Sequence, residues 1–203
     1  MRLQFLYSKD REKEKLMDIC DEYQWFVDRD FPIILPKFFV KIYRQNIKSK
    51  KLFVSNLDEE LNKIYDRNNY LSKIKIVKTN WRKIEKEFFV ILDNFNLKTK
   101  NKYYCCTSLY KPEGQFKYPD IINLRIANSR DIKGANEIIA HEIIHLAIYD
   151  KIKNSKLNYQ QIEGIVDMFF TKTQLKDIFP KYNLQSIAIH DKKLFQKVIN
   201  VFK

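Results

Sequence analysis

The sequence predicts an α+β fold, mostly helical, with a small mixed sheet near its middle. Three observations carry this reading. The first hundred residues space their apolar side chains at helical intervals; the texture turns to β-favouring types just after residue 100; and two strongly apolar helical segments follow between residues 134 and 171. With 203 residues, 45% of them hydrophobic and 14% aromatic, the chain can bury a core without covalent staples.

Taken in order, residues 2–7 suit a short strand. Residues 10–28 place Leu16, Ile19, Cys20, Tyr23 and Phe26 on a helical stripe, with Asp10 as a cap. Pro32 and Pro36 punctuate the chain before a helix over 37–48. Residues 57–67 suit another helix, with Asp58 and Glu59 near its start. Residues 80–95 form a stronger one, with Asn80 as cap and Trp81, Ile84, Phe88, Phe89, Ile91 and Leu92 on one side. Residues 102–110 (KYYCCTSLY) read as a strand, KPEGQFKYPD as a turn, and 120–127 (DIINLRIA) as a second strand, the two forming a hairpin or a neighbouring pair. Helices are expected over 134–152, over 159–171 after a polar break, at 173–179, and from 190 to 202 beyond Pro180.

Composition removes several function classes. Only three glycines are present and no G-x-x-x-x-G-K or G-x-G-x-x-G string, which argues against a phosphate-cradling loop. Cys20, Cys105 and Cys106 are odd in number and lack framework spacing; the adjacent pair would point to opposite faces of a strand, as core fillers in a reducing compartment. The formal charge of +13 admits nucleic acid as a partner, but lysines such as Lys48, Lys50, Lys51, Lys73, Lys75 and Lys78 are scattered, and the abundance of lysine, isoleucine, asparagine and tyrosine fits AT-rich coding. No apolar run of about 18 residues predicts a membrane span, and the N-terminus meets charge by Lys9 without a signal-like apolar stretch. A cytoplasmic location is the expectation, with no membrane partner.

Chemistry concentrates in HEIIH, residues 141–145. His141 and His145 are four apart in a helical segment, which sets both imidazoles on one face, one turn apart, where they can share a metal ion. Glu142 can reach a water activated by that metal and act as general base. Two of the chain's three histidines fall at this spacing. Ile138, Ile139, Ala140, Ile143, Ile144, Leu146, Ala147 and Ile148 surround them, so the helix should be buried, where polar side chains need a partner such as a metal. A catalytic site needs a third ligand. Ile148 stands where an HExxHxxGxxH pattern needs glycine, and His190 lies far downstream. Glu163 is the better candidate, because a helix, a polar turn and an antiparallel helix can bring it back over the histidines. Gly164 would let those helices approach, and Asp167, one turn on, could fix the tautomer of a ligating imidazole. His190 and Tyr159 are candidate donors to a developing oxyanion.

With HEIIH at 141–145 and EGIVD at 163–167, the sequence resembles the zincin metallopeptidases, and among them the gluzincins, in which a downstream glutamate, often within ExxxD, completes the site. Its size is similar to that of the minimal gluzincins, and the resemblance covers about residues 103–171. It implies a zincin-like fold whose active-site helix packs under the sheet, Zn2+ as cofactor, and His141, His145 and Glu163 as its ligands. It further implies Glu142 as general base, Asp167 behind His141, and hydrolysis of a peptide or protein. An exposed edge strand just before the active helix would bind substrate backbone; residues 120–127, with Ile122, Asn123, Leu124 and Arg125, hold that place in order. Residues 101–203 would be the catalytic region. Residues 1–100 form a mostly helical region without assignment, regulatory or part of the same domain. The alternatives are a non-catalytic metal-binding regulator, a basic peptidase acting on nucleic-acid-bound proteins, and a secreted protease.

Overall fold

The computed structural model describes residues 2–46, 49–95 and 97–200. Its elements are β1 (Leu3–Leu6), α1 (Lys9–Asp28), α2 (Phe39–Asn46), α3 (Lys50–Ile64), α4 (Arg67–Asn94), β2 (Tyr103–Ser108), β3 (Gly114–Lys117), β4 (Ile121–Arg125), α5 (Ser129–Ile152), α6 (Tyr159–Lys172), α7 (Leu175–Ile178) and α8 (Lys192–Asn200). The fold is α+β, and the sheet is small and mixed, as the sequence predicts. No helix among the described residues is long and apolar enough to cross a membrane.

The sheet order is β1-β2-β4-β3. β1 pairs in parallel with β2 from Leu3 opposite Tyr103, and β2 with β4 from Tyr104 opposite Ile121. β3 folds back antiparallel on β4, with Gly114 opposite Leu124. This corrects two expectations. The turn-like stretch KPEGQFKYPD contains a strand, because Gly114–Lys117 finds a partner in β4 that local composition does not reveal. β4 is also not an edge: it is paired on both sides, and the edge beside the active-helix candidate is β3.

Helix starts are set by polar caps. Ser8, rather than Asp10, caps α1 by accepting from Arg11 N, and Asp66 caps α4 through Asn68 N. Asn80, expected as a cap, lies inside α4, which is thus much longer than the sequence pattern suggested. α3 likewise begins at Lys50, behind its cap Ser49. α5 starts at Ser129, with Asn128 accepting from Asp131 N. α6 opens with a full capping box between Asn158 and Gln161. Positions 47 and 48 of the expected 37–48 helix, and 201–202 of the last one, lie outside the described residues.

One core joins β1, α4, the sheet, α5 and α6; Leu3, Trp81, Phe88, Tyr103, Ile122, Ile143 and Phe169 are all fully or almost fully buried in it. A second cluster, with Leu16, Ile19, Phe39, Phe53 and Leu57, unites α1, α2 and α3. Two buried carboxylates knit these layers. Glu85 on α4 accepts from the backbone N–H of Arg2 and Leu3, holding β1 in place. Glu12 on α1 accepts from Tyr70 of α4 at 2.7 Å and from Leu109 N at 3.0 Å, just beyond β2. Cys105 and Cys106 are buried free thiols, as is fitting for small core fillers, and Cys20 is free and half-buried.

Candidate metal centre

α5 carries HEIIH in its buried middle, packed beneath β3 and β4, and α6 returns across the polar turn 153–158. His141, His145 and Glu163 converge from these two helices, and all three are buried. His145 Nε2 lies 3.0 Å from His141 Nε2, His141 Nε2 lies 3.1 Å from Glu163 Oε2, and His145 Nε2 lies 3.3 Å from Glu163 Oε1. A tetrahedral ion with bonds of about 2.0–2.1 Å separates its ligand atoms by about 3.3–3.4 Å, so this spacing suits one small cation. Two imidazole nitrogens and a carboxylate are also the donor set that zinc favours. Burial opposes charge on Glu163, but the adjoining imidazoles of His141 and His145 outweigh it and hold the carboxyl well below its usual range.

The tautomer of His141 follows from its other neighbour. Tyr182 donates its hydroxyl proton to Asp167 Oδ1 at 2.7 Å, so the 3.1 Å contact between His141 Nδ1 and the same hydroxyl needs its proton from the imidazole. His141 therefore turns an Nε2 lone pair to the cluster. Asp167 supports His141 through Tyr182 and not by direct contact. It is fully buried and also accepts from Gln185 N and His190 Nε2, each at 2.9 Å. His145 is held differently: Phe116 of β3 stacks on its ring at 4.9 Å, and its Nδ1 is buried without a partner.

Glu142 is buried beside these three side chains, under Gly114 of β3. A methyl group at Gly114 would stand 2.5 Å from Glu142 Oε1 and equally close to Ile138 Cγ2, so only glycine leaves that carboxylate its place. Burial, opposed by His141 and assisted by Glu163, pushes the Glu142 carboxyl up to about 7. A carboxylate whose proton affinity sits near neutrality suits reversible proton transfer.

The remaining candidates fall in different places. Tyr159, the first residue of α6, is 59% exposed overall, and desolvation of its hydroxyl together with the Glu163 charge pushes its phenol up. His190 is committed to Asp167 through Nε2, one carboxylate removed from the cluster. Gly164 does allow a close approach, but by the Ile189 carbonyl of the C-terminal segment and not by α5: a side chain there would overlap that carbonyl.

The expected substrate strand is corrected. Ile122 and Leu124 are core residues, and Arg125 is tied by two bonds to Asp131, at 2.9 and 3.0 Å, and to the Lys111 carbonyl. Asn123 is buried as well. These four side chains and their paired backbone are unavailable as an edge. Two participants escaped the sequence reading: Tyr182, and Gln185, whose Nε2 lies 2.9 Å from Glu163 Oε2 and 3.1 Å from His141 Nε2. Both come from an irregular segment without periodicity, and no local signal marks them. No protein-family model, no curated protein and no solved structure matches the chain.

Proposed function

We propose that this protein is a zinc-dependent peptidase of gluzincin type. The observation that carries the reading is the convergence of His141, His145 and Glu163 within 4.8 Å, with the Glu142 carboxylate alongside. A zinc ion held by these three side chains would supply Lewis-acid chemistry, polarising a scissile carbonyl and acidifying water.

The chain's own residues do the rest. Glu142 accepts the proton of the attacking water and returns it to the leaving amine nitrogen. Its position between the three side chains and β3 supports that role. β3 is the sheet edge on this side, and its Gly114 and Phe116 lie over Glu142 and His145. An extended peptide can add to such an edge by main-chain hydrogen bonds. Tyr159, protonated and beside Glu163, is the favoured donor to charge developing on the carbonyl oxygen. Tyr182 and Asp167 keep His141 in its ligating tautomer.

Metal analysis and a peptidase assay on mixed peptides test the proposal. Wild type should bind zinc and cleave, Glu142→Gln should keep zinc and lose cleavage, and Glu163→Ala should bind zinc weakly. Wild-type protein that stays zinc-free after purification from zinc-replete medium would sink it.

A further inference from the structure

Beyond the three ligands, a fourth side chain reaches the cluster. The terminal amide of Gln185 stands 2.9 Å from Glu163 Oε2 and 3.1 Å from His141 Nε2, the same spacing the three ligand atoms keep among themselves. Its place is not accidental to a loose loop. Gln185 N is bonded to the fully buried Asp167, which also holds Tyr182 three residues before and His190 five residues after. Ile189 N is bonded to Gln160 O at the start of α6, with the Ile189 carbonyl seated against Gly164. Residues 182–190 thus form a strap over the cluster, with Asp167 as its clasp.

The amide's chemistry depends on what the cluster holds. Without a cation, its NH2 protons serve the Glu163 carboxylate and the His141 lone pair. An amide turned through 180° presents its oxygen at nearly the same point. Among a carboxylate and two imidazole nitrogens that oxygen would be repelled, unless a cation lies between them. Resting on the reading of this cluster as a zinc site, we propose that Gln185 is a fourth protein ligand, and that the strap closes the site until it lifts.

A site with four protein ligands is shut to substrate, whereas hydrolysis needs an open position. The strap is built to release. No residue between Phe179 and Phe195 is buried, and Leu184, Ile187 and Ile189 are 52%, 44% and 45% exposed. Its polar hold centres on Asp167, while the Tyr182 ring on Phe170 and the Ile189 N bond to Gln160 O anchor its two ends, so the stretch between them can lift without opening the core.

The test uses the full chain loaded with Co2+, comparing wild type, Gln185→Ala and Gln185→Glu by visible absorption, by metal affinity against a chromophoric chelator, and by titration with acetohydroxamate. Gln185→Ala should lower affinity by about 10–100-fold and bind acetohydroxamate with a change in the cobalt spectrum. Wild type should leave its spectrum unmoved at the same concentration, and Gln185→Glu should recover the affinity. The inference is overturned if wild type takes up acetohydroxamate as readily as Gln185→Ala, or if the two bind cobalt equally. In either case cobalt binding still supports the zinc-site reading; wild-type protein that binds neither cobalt nor zinc removes both.

Discussion

Gly114 of β3 and Glu142 of α5 occupy one another's space: a single methyl on the glycine would sit 2.5 Å from the carboxylate oxygen. The glycine has an ordinary negative φ, so it is needed for room and not for backbone freedom. Gly114→Ala should displace Glu142 or lift β3 while leaving the ligands untouched. We expect cleavage to fall by about 100-fold, as for a catalytic group moved by roughly an ångström. Zinc content should remain that of wild type, and equal activity in the variant would refute the assigned contact.

Tyr182 stands between His141 and Asp167, and its ring stacks on Phe170 at 3.9 Å. Tyr182→Phe keeps the stacking and removes only the hydroxyl. His141 then loses the partner that fixes its tautomer, and zinc affinity should drop by about 10–100-fold in a chelator competition. The far-ultraviolet circular dichroism should not change.

Binding of zinc by the folded chain alone must stabilise it. At free zinc about 100 times the dissociation constant, the gain is about 2.7 kcal/mol. Wild type should therefore melt at a higher temperature with zinc than with a chelator. His145→Ala should show almost none of that difference, and an equal zinc-dependent shift in both would mean that the ion binds elsewhere.

Glu12 supplies a test far from the cluster. Burial raises its carboxyl, although Tyr70, Ser108 and Leu109 donate to it and Lys111 is near. A carboxyl raised on folding contributes stability that is complete below its unfolded value and is lost as pH rises through its folded value. Glu12→Gln retains an acceptor for Tyr70 and Leu109 and cannot ionise. The melting temperature of the variant, relative to wild type, should rise between acid and neutral pH. A constant difference across that range would show that Glu12 carries no such cost.

The sequence disclosed the cluster because its signals are local. Two histidines one turn apart, a glutamate between them and isoleucines around them mark a buried helix carrying polar side chains, and EGIVD does the same one helix later. Helix extents were less legible. Polar Thr79 and Asn80 interrupt the pattern of α4, yet Tyr70, Ile74 and Val77 before them are buried by the same core. β3 was hidden because Pro112, Gly114 and Pro119 look like a turn, and only β4, reached through the chain's return, makes those residues a strand. Tyr182 and Gln185 were hidden for the opposite reason: their positions are fixed by one distant carboxylate, Asp167, and by no regularity of their own.

The register of β1 bears on how the protein is made. Leu3 pairs opposite Tyr103, and four helices lie between the two in the chain. At about 5–20 residues per second, the ribosome completes β2 roughly 5–20 s after β1. During that interval the first strand has no partner in the sheet, and only Glu85, itself made late, offers its backbone a place on α4. Such a distant pairing is slow to close, so the growing chain spends its synthesis with an adhesive strand uncovered.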